Sequence, residues 1–224
     1  MTANGLRRFA RQRPANRPRL AGTPPHIGQR RHDDGLERCQ MCGTSLAPDH
    51  GHVVELERRS LCCACPGCYL LFTTDGAGGG RYRSVPRRVH HDPAAPLSPA
   101  EYDTLGVPVG MAFFFLNSAL DRIVGCYPSP AGATECELDL AAWARLAADH
   151  PLLAALTPDV EAVLVDRGPG TVAGHLVPID LCYALIGRIR TRWTGFDGGD
   201  EIRAALAEFR ETLRARSTPL PGGA

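Results

Sequence analysis

Six cysteines fall between positions 39 and 68, and their spacing is that of a metal site. Cys39 and Cys42 form one CxxC pair, and Cys65 and Cys68 form another roughly twenty residues later. Two such pairs are the sequence form of a four-thiolate zinc or iron centre. A CxxC turn sets two sulfurs on one side of a tight backbone knuckle, and Gly43 supplies the freedom that turn needs. There are more donors than one site can hold. Cys62 with Cys65 is also a CxxC pair, Cys63 is close enough to stand in for either, and His50 and His52 offer imidazoles. The expected ligands are Cys39, Cys42, Cys65 and Cys68, with Cys63 and then His52 as the replacements. Zinc is the expected ion, because closed thiolate sets in small modules are mostly structural. Iron is the alternative, since four thiolates suit both.

These ligands need elements to hold them. Residues 52–56 and 60–63 read as two short strands about the polar turn 57–59. After Pro66, the spacing of Cys65, Cys68, Leu71 and Phe72 fits one face of a helix. Knuckle, hairpin and ligands at a helix start make a treble-clef layout; a zinc ribbon would place the second pair on another hairpin. The first is preferred.

The chain has 224 residues and a net charge of +1, with arginine as its only strongly basic residue. That length suits one substantial core plus a small metal module. Nine cysteines without a secretion signal indicate a reducing compartment, and no apolar run reaches membrane-spanning length, so a cytoplasmic protein is expected. Residues 1–35 carry eight arginines and several prolines, and read as a disordered tail. Setting those arginines aside leaves 17 basic against 24 acidic residues. So acidic a body argues against a dedicated nucleic-acid binder. The metal module is expected over 36–75, a glycine- and proline-rich linker over 76–96, a second domain over 97–216 and a disordered C-terminus over 217–224. In the linker, His90, His91 and Asp92 read as solvated rather than metal-bound.

The second domain opens with a capping box, Ser98 to Glu101, with Pro99 at the first helical position and Leu97 with Tyr102 as a staple. Strands follow over 109–116, 121–127 and 133–138. Asp139 caps a helix with Leu140, Trp143 and Leu146 on its apolar face, and a short helical piece follows over 152–156. A second hairpin, 160–165 with 171–177, turns about residues 167–170. Asp180 then caps a helix bearing Leu181, Leu185, Ile189 and Trp193, and a last helix carries Ile202, Leu206, Phe209 and Leu213. The order predicts an α+β fold: a small treble-clef- or zinc-ribbon-like module, then an antiparallel sheet covered by helices.

Catalytic patterns are scarce. Cys182 lies near a helix start, where a thiol pKa falls, and His175 on the preceding strand can serve it as a base. Burial explains both equally well, as helix capping does Asp197 and Asp200. The glycine run ending in Arg81, Tyr82 and Arg83 carries residue types enriched at protein interfaces.

Taken together, several motifs resemble an uncharacterised actinobacterial family. They are Cys39-x-x-Cys42-Gly43, Cys63-Ala64-Cys65-x-x-Cys68, residues 76–83, 108–115 and 117–122, and the 195–200 segment. Genes of that family stand beside high-affinity nickel–iron uptake hydrogenases and their maturation factors. The resemblance covers about residues 36–216. It implies that Cys63 belongs with the thiolate set, that Cys62 is a local departure, and that the partner is a hydrogenase subunit or maturation factor. Three readings follow. One is a non-catalytic, metal-binding accessory protein for a hydrogenase, which docks through Arg81, Tyr82 and Arg83. The alternative is a rubredoxin-like iron carrier, and the third an enzyme using Cys182 and His175.

Overall fold

The computed structural model describes residues 37–168, 170–194 and 198–221. The arginine-rich tail and Asp197 lie outside the described residues. The fold is α+β, built from two antiparallel sheets and the helices that cover the larger one.

The smaller sheet has the order β2-β1-β3, from β1 (Gly51–Glu55), β2 (Ser60–Ala64) and β3 (Tyr82–Ser84). Helix α1 (Pro66–Leu70) follows β2 directly, so the second cysteine pair sits at a helix start and not on another hairpin. Residues 77–80 form a 3-10 turn in which Gly78, Gly79 and Gly80 all have positive φ. That backbone favours glycine, and it delivers Tyr82 to pair with Glu55 of β1.

The larger sheet contains seven strands in the order β10-β4-β9-β8-β5-β6-β7. Its longer members are β5 (Met111–Asn117), β6 (Arg122–Ser129), β7 (Gly132–Cys136), β8 (Glu161–Gly168) and β9 (Thr171–Pro178). Two short strands, β4 (His90–His91) and β10 (Thr218–Pro219), extend the β9 edge, and only their mutual pairing is parallel. The phenylalanine run in β5 shows how the sheet divides two cores. Alternation sends Phe113 and Phe115 to one face and Phe114 to the other, where its ring meets Trp143 at 5.1 Å. Burial on both faces explains the near-continuous apolar run.

On one face lie α2 (Pro99–Thr104), α3 (Leu140–Asp149) and α4 (Pro151–Ala154). The capping box is formed as expected: Ser98 Oγ accepts from the Glu101 amide, and Glu101 accepts from the Ser98 amide. Leu97 and Tyr102 are buried together. Asp139 caps α3, but Leu140, its first helical residue, is exposed, and Ala142, Trp143 and Leu146 form the buried face.

The other face carries α5 (Ile179–Arg192) and α6 (Gly199–Arg216). Val54 and Leu61, from the β1–β2 hairpin, are buried in this same core, as are Val85 and Val89 from the segment that follows. Polar contacts tie the two parts further. Arg88 forks onto the fully buried Glu161 at 2.6 and 2.7 Å, and Arg83 donates to the Pro158 carbonyl. Asp180 does not cap α5; the capping position is Pro178, and the Asp180 carboxylate bonds His52 instead. Nor is Asp92 solvated, and His91 is half-buried. His91 bonds Ser217, and buried Asp92 accepts from the Ala94 and Ala95 amides.

Candidate metal centre

The first cysteine pair sits on a knuckle clamped by its own backbone. The Cys39 amide donates to the Thr44 carbonyl and the Gly43 amide donates back to Cys39, both at 2.8 Å. Closing that turn puts Gly43 at φ +78°, where a side chain is strained. A reciprocal pair of bonds then fixes the knuckle to the end of β2. The Gln40 amide donates to the Cys63 carbonyl at 2.9 Å, and Gln40 Oε1 accepts from the Cys63 amide at 2.7 Å. Gln40 is a positioning residue that its sequence context gives no reason to single out.

The second pair is placed by α1. Cys65 is its N-cap, with Sγ accepting from the Cys68 amide at 3.5 Å, and Pro66 starts the helix where no amide is needed. Tyr69 wedges the helix against the hairpin: its amide donates to the Cys65 carbonyl and its hydroxyl donates to the Val85 carbonyl at 2.8 Å.

Together these elements bring the Cys39, Cys42, Cys65 and Cys68 sulfurs within 4.8 Å of one another. Cys42 and Cys65 stand 3.7 Å apart. Four sulfurs at about 2.3 Å from one tetrahedral ion are separated by about 3.8 Å, so the cluster has the dimensions of a thiolate cage. All nine cysteines are free thiols. Cys39 is buried, while Cys42 is exposed at the rim.

Protonation within the cluster is uneven. Burial opposes ionisation of Cys39, yet backbone hydrogen bonds from Cys65, Cys42 and Met41 bring its pKa down to about 6. Desolvation and the neighbouring thiols push Cys68 up to about 12. The Thr44 backbone favours the Cys42 thiolate, but Cys39 and Cys65 outweigh it and raise that pKa. One thiolate is supported and its neighbours are repelled by it. A dication reverses this balance, since a coordinating thiol is deprotonated outright.

The two replacement ligands converge elsewhere. Cys63 and His52 lie in a second group with His50, one donor atom from each within 4.8 Å of the others. Cys63 still packs beside Cys39 and Leu46, which accounts for its burial.

The remaining sequence candidates are also placed. Cys182 is fully buried, and desolvation raises its pKa well above the usual thiol range, so the expected activation at the helix start is overturned. His175 bonds Ser217 and faces His91; burial and His91 lower its pKa to about 4. Among the described residues no hydrogen bond joins the two as nucleophile and base. Arg81 pairs with buried Glu55 at 2.5 Å and lies 5.3 Å from the centre of the Tyr82 ring, which itself packs on Phe72. Arg83 also pairs with Asp75 at 3.2 Å. No helix among the described residues is long and apolar enough to cross a membrane.

The sequence model of a family of unknown function, DUF5947, matches residues 38–217, from the knuckle to the end of α6. The chain belongs to this family. No curated protein and no solved structure matches it. The DUF5947 match takes in the cysteine cluster and six of the seven strands of the larger sheet, stopping just before β10.

Proposed function

We propose that the chain is a non-catalytic accessory protein whose thiolate cage holds a structural zinc ion and which docks on a protein partner. The observation that carries this reading is the convergence of four cysteine sulfurs from a knuckle and a helix start. Each CxxC supplies two ligands, so a tetrahedral ion closes the set and ties residues 39–43 to α1. Such an ion contributes folding energy directly, because the unfolded chain has no preformed site.

The partner in this reading is a nickel–iron hydrogenase subunit or maturation factor. Its support is the motif resemblance to a family encoded beside those enzymes. The docking surface is the segment carrying Arg81, Tyr82 and Arg83, where the arginine stacks on the tyrosine and the tyrosine packs on Phe72, which follows the exposed Leu70 and Leu71 in the chain. The experiment is affinity capture from native cells, wild type against Tyr82→Ala, with metal content measured in both. Hydrogenase components recovered by the wild type and lost by the variant support it. Equal recovery by both removes the surface.

One observation favours a second reading, that of an iron redox carrier: Cys42 is exposed, so one edge of the cage is open to a redox partner. Colour separates the readings, because ferric thiolate absorbs visible light and zinc does not.

A further inference from the structure

The hairpin carries a second donor set that the four-thiolate cage does not use. His50 directly precedes β1 and His52 is its second residue, so extended backbone sends the two side chains to the same face. Cys63 is the residue directly opposite His52 in the β1–β2 register. This ladder geometry brings two imidazoles and a thiol within 4.8 Å, with the rings 5.0 Å apart.

Each imidazole is secured through its Nδ1. His50 Nδ1 donates to the Ala47 carbonyl at 2.8 Å, and its ring is only 7% exposed. Its Nε2 is buried and has no hydrogen-bond partner. A buried imidazole nitrogen left in that state asks for a ligand. His52 Nδ1 bonds the Asp180 carboxylate at 2.8 Å, and Cys63 interacts with the same ring. A carboxylate or carbonyl behind each histidine is the outer support that metal-ligating histidines carry, because it fixes the tautomer and aims the free nitrogen.

The surroundings add an opening. His50, His52 and Asp180 line a cleft of about 530 Å³ between the module and α5, whereas Cys63 lies buried away from it. Arg87 and Arg216 stand on the cleft wall, with Asp49 3.9 Å from Arg87.

We propose that His50, His52 and Cys63 bind a second divalent transition-metal ion through two imidazole nitrogens and one thiolate. Two nitrogens and one sulfur suit zinc or cobalt, and three protein ligands leave a fourth position. That position faces the cleft and takes an exchangeable water or a small anion, which the two arginines favour. The site is chemically unlike the closed cage, because its ion keeps a place for an external ligand.

Cobalt(II) titration of the metal-free full chain tests this, with absorption reporting each thiolate-bound ion. The wild type takes up two equivalents, and His50→Ala and Cys63→Ala each take up one. Azide added to the two-cobalt protein shifts the visible bands, and it shifts nothing in His50→Ala. Cys65→Ser keeps the azide-responsive equivalent, so loss of the cage reading is distinguishable from loss of this one. Saturation of the wild type at one equivalent overturns the proposal without recourse to any variant. So does a His50→Ala protein that still binds two, or a second cobalt blind to azide.

Discussion

Gly51→Ala isolates the packing that holds the helix-borne cysteines in place. A Cβ built at Gly51 would stand 2.6 Å from Tyr69 Cδ2 and 3.1 Å from Cγ. Carbon atoms pack comfortably near 3.5–4.0 Å, so the ring must retreat by roughly 1 Å. It cannot do so freely, because its hydroxyl is bonded to the Val85 carbonyl and its amide to Cys65. Overpacking of this kind costs about 1–3 kcal/mol, and weakening the hydroxyl bond adds about 1 kcal/mol. Replacing glycine in a strand returns about 0.5–1 kcal/mol of backbone entropy. The net loss expected is about 2 kcal/mol. Tyr69 directly follows Cys68, so part of the loss appears as metal affinity, at about tenfold for every 1.4 kcal/mol. Urea unfolding of the metal-loaded protein and chelator competition measure the two shares. In a Tyr69→Leu background the same substitution costs under about 0.5 kcal/mol, because the obstructing ring is gone. Equal costs in the two backgrounds would refute the wedge.

The other expectations concern the joint between the module and the sheet, and the histidines. Arg88→Ala leaves the buried Glu161 carboxylate with the Thr157 amide as its remaining donor among the described residues. Arg88 is about half exposed, so water screens the pair. The expected loss in urea unfolding is about 2 kcal/mol, below the roughly 3–5 kcal/mol of a fully buried pair. A loss near zero would show the linker is not held there. Histidine NMR titration should separate His175 from His150. Burial and His91 lower His175 to about 4, so the stability from its neutral form is complete above about 6.5 and falls as pH drops towards 4. Burial opposes charge on His150, but the Ala95 carbonyl and Glu101 raise its pKa. The stability from its charged form is complete below about 6.5 and is lost as pH rises through the folded value. Coincident titrations near 6.5 would contradict both environments.

The parts of this molecule that sequence makes legible are those set by local rules. CxxC spacing marks the cluster of four sulfurs, the capping box marks α2, and the phenylalanine run marks a strand buried on both sides. What it hides depends on register or on distant partners. Cys63 and His52 look like spare ligands for one site until the hairpin register sets them opposite each other and beside His50. Asp180 has the sequence position of a helix cap, yet His52, far away in the chain, takes its carboxylate. Cys182 looks activated near a helix start, but the core around it raises the cost of ionising. Strands β4 and β10 are two residues each, too short for any alternation to show.

The four-thiolate cage is tested most directly by X-ray absorption at the zinc edge on the Cys63→Ala protein, which lacks the second donor set. One zinc per chain, surrounded by four sulfurs at about 2.3 Å, is the expected result. A nitrogen or oxygen in that shell, or a protein that keeps no metal and titrates all eight remaining thiols, would contradict it.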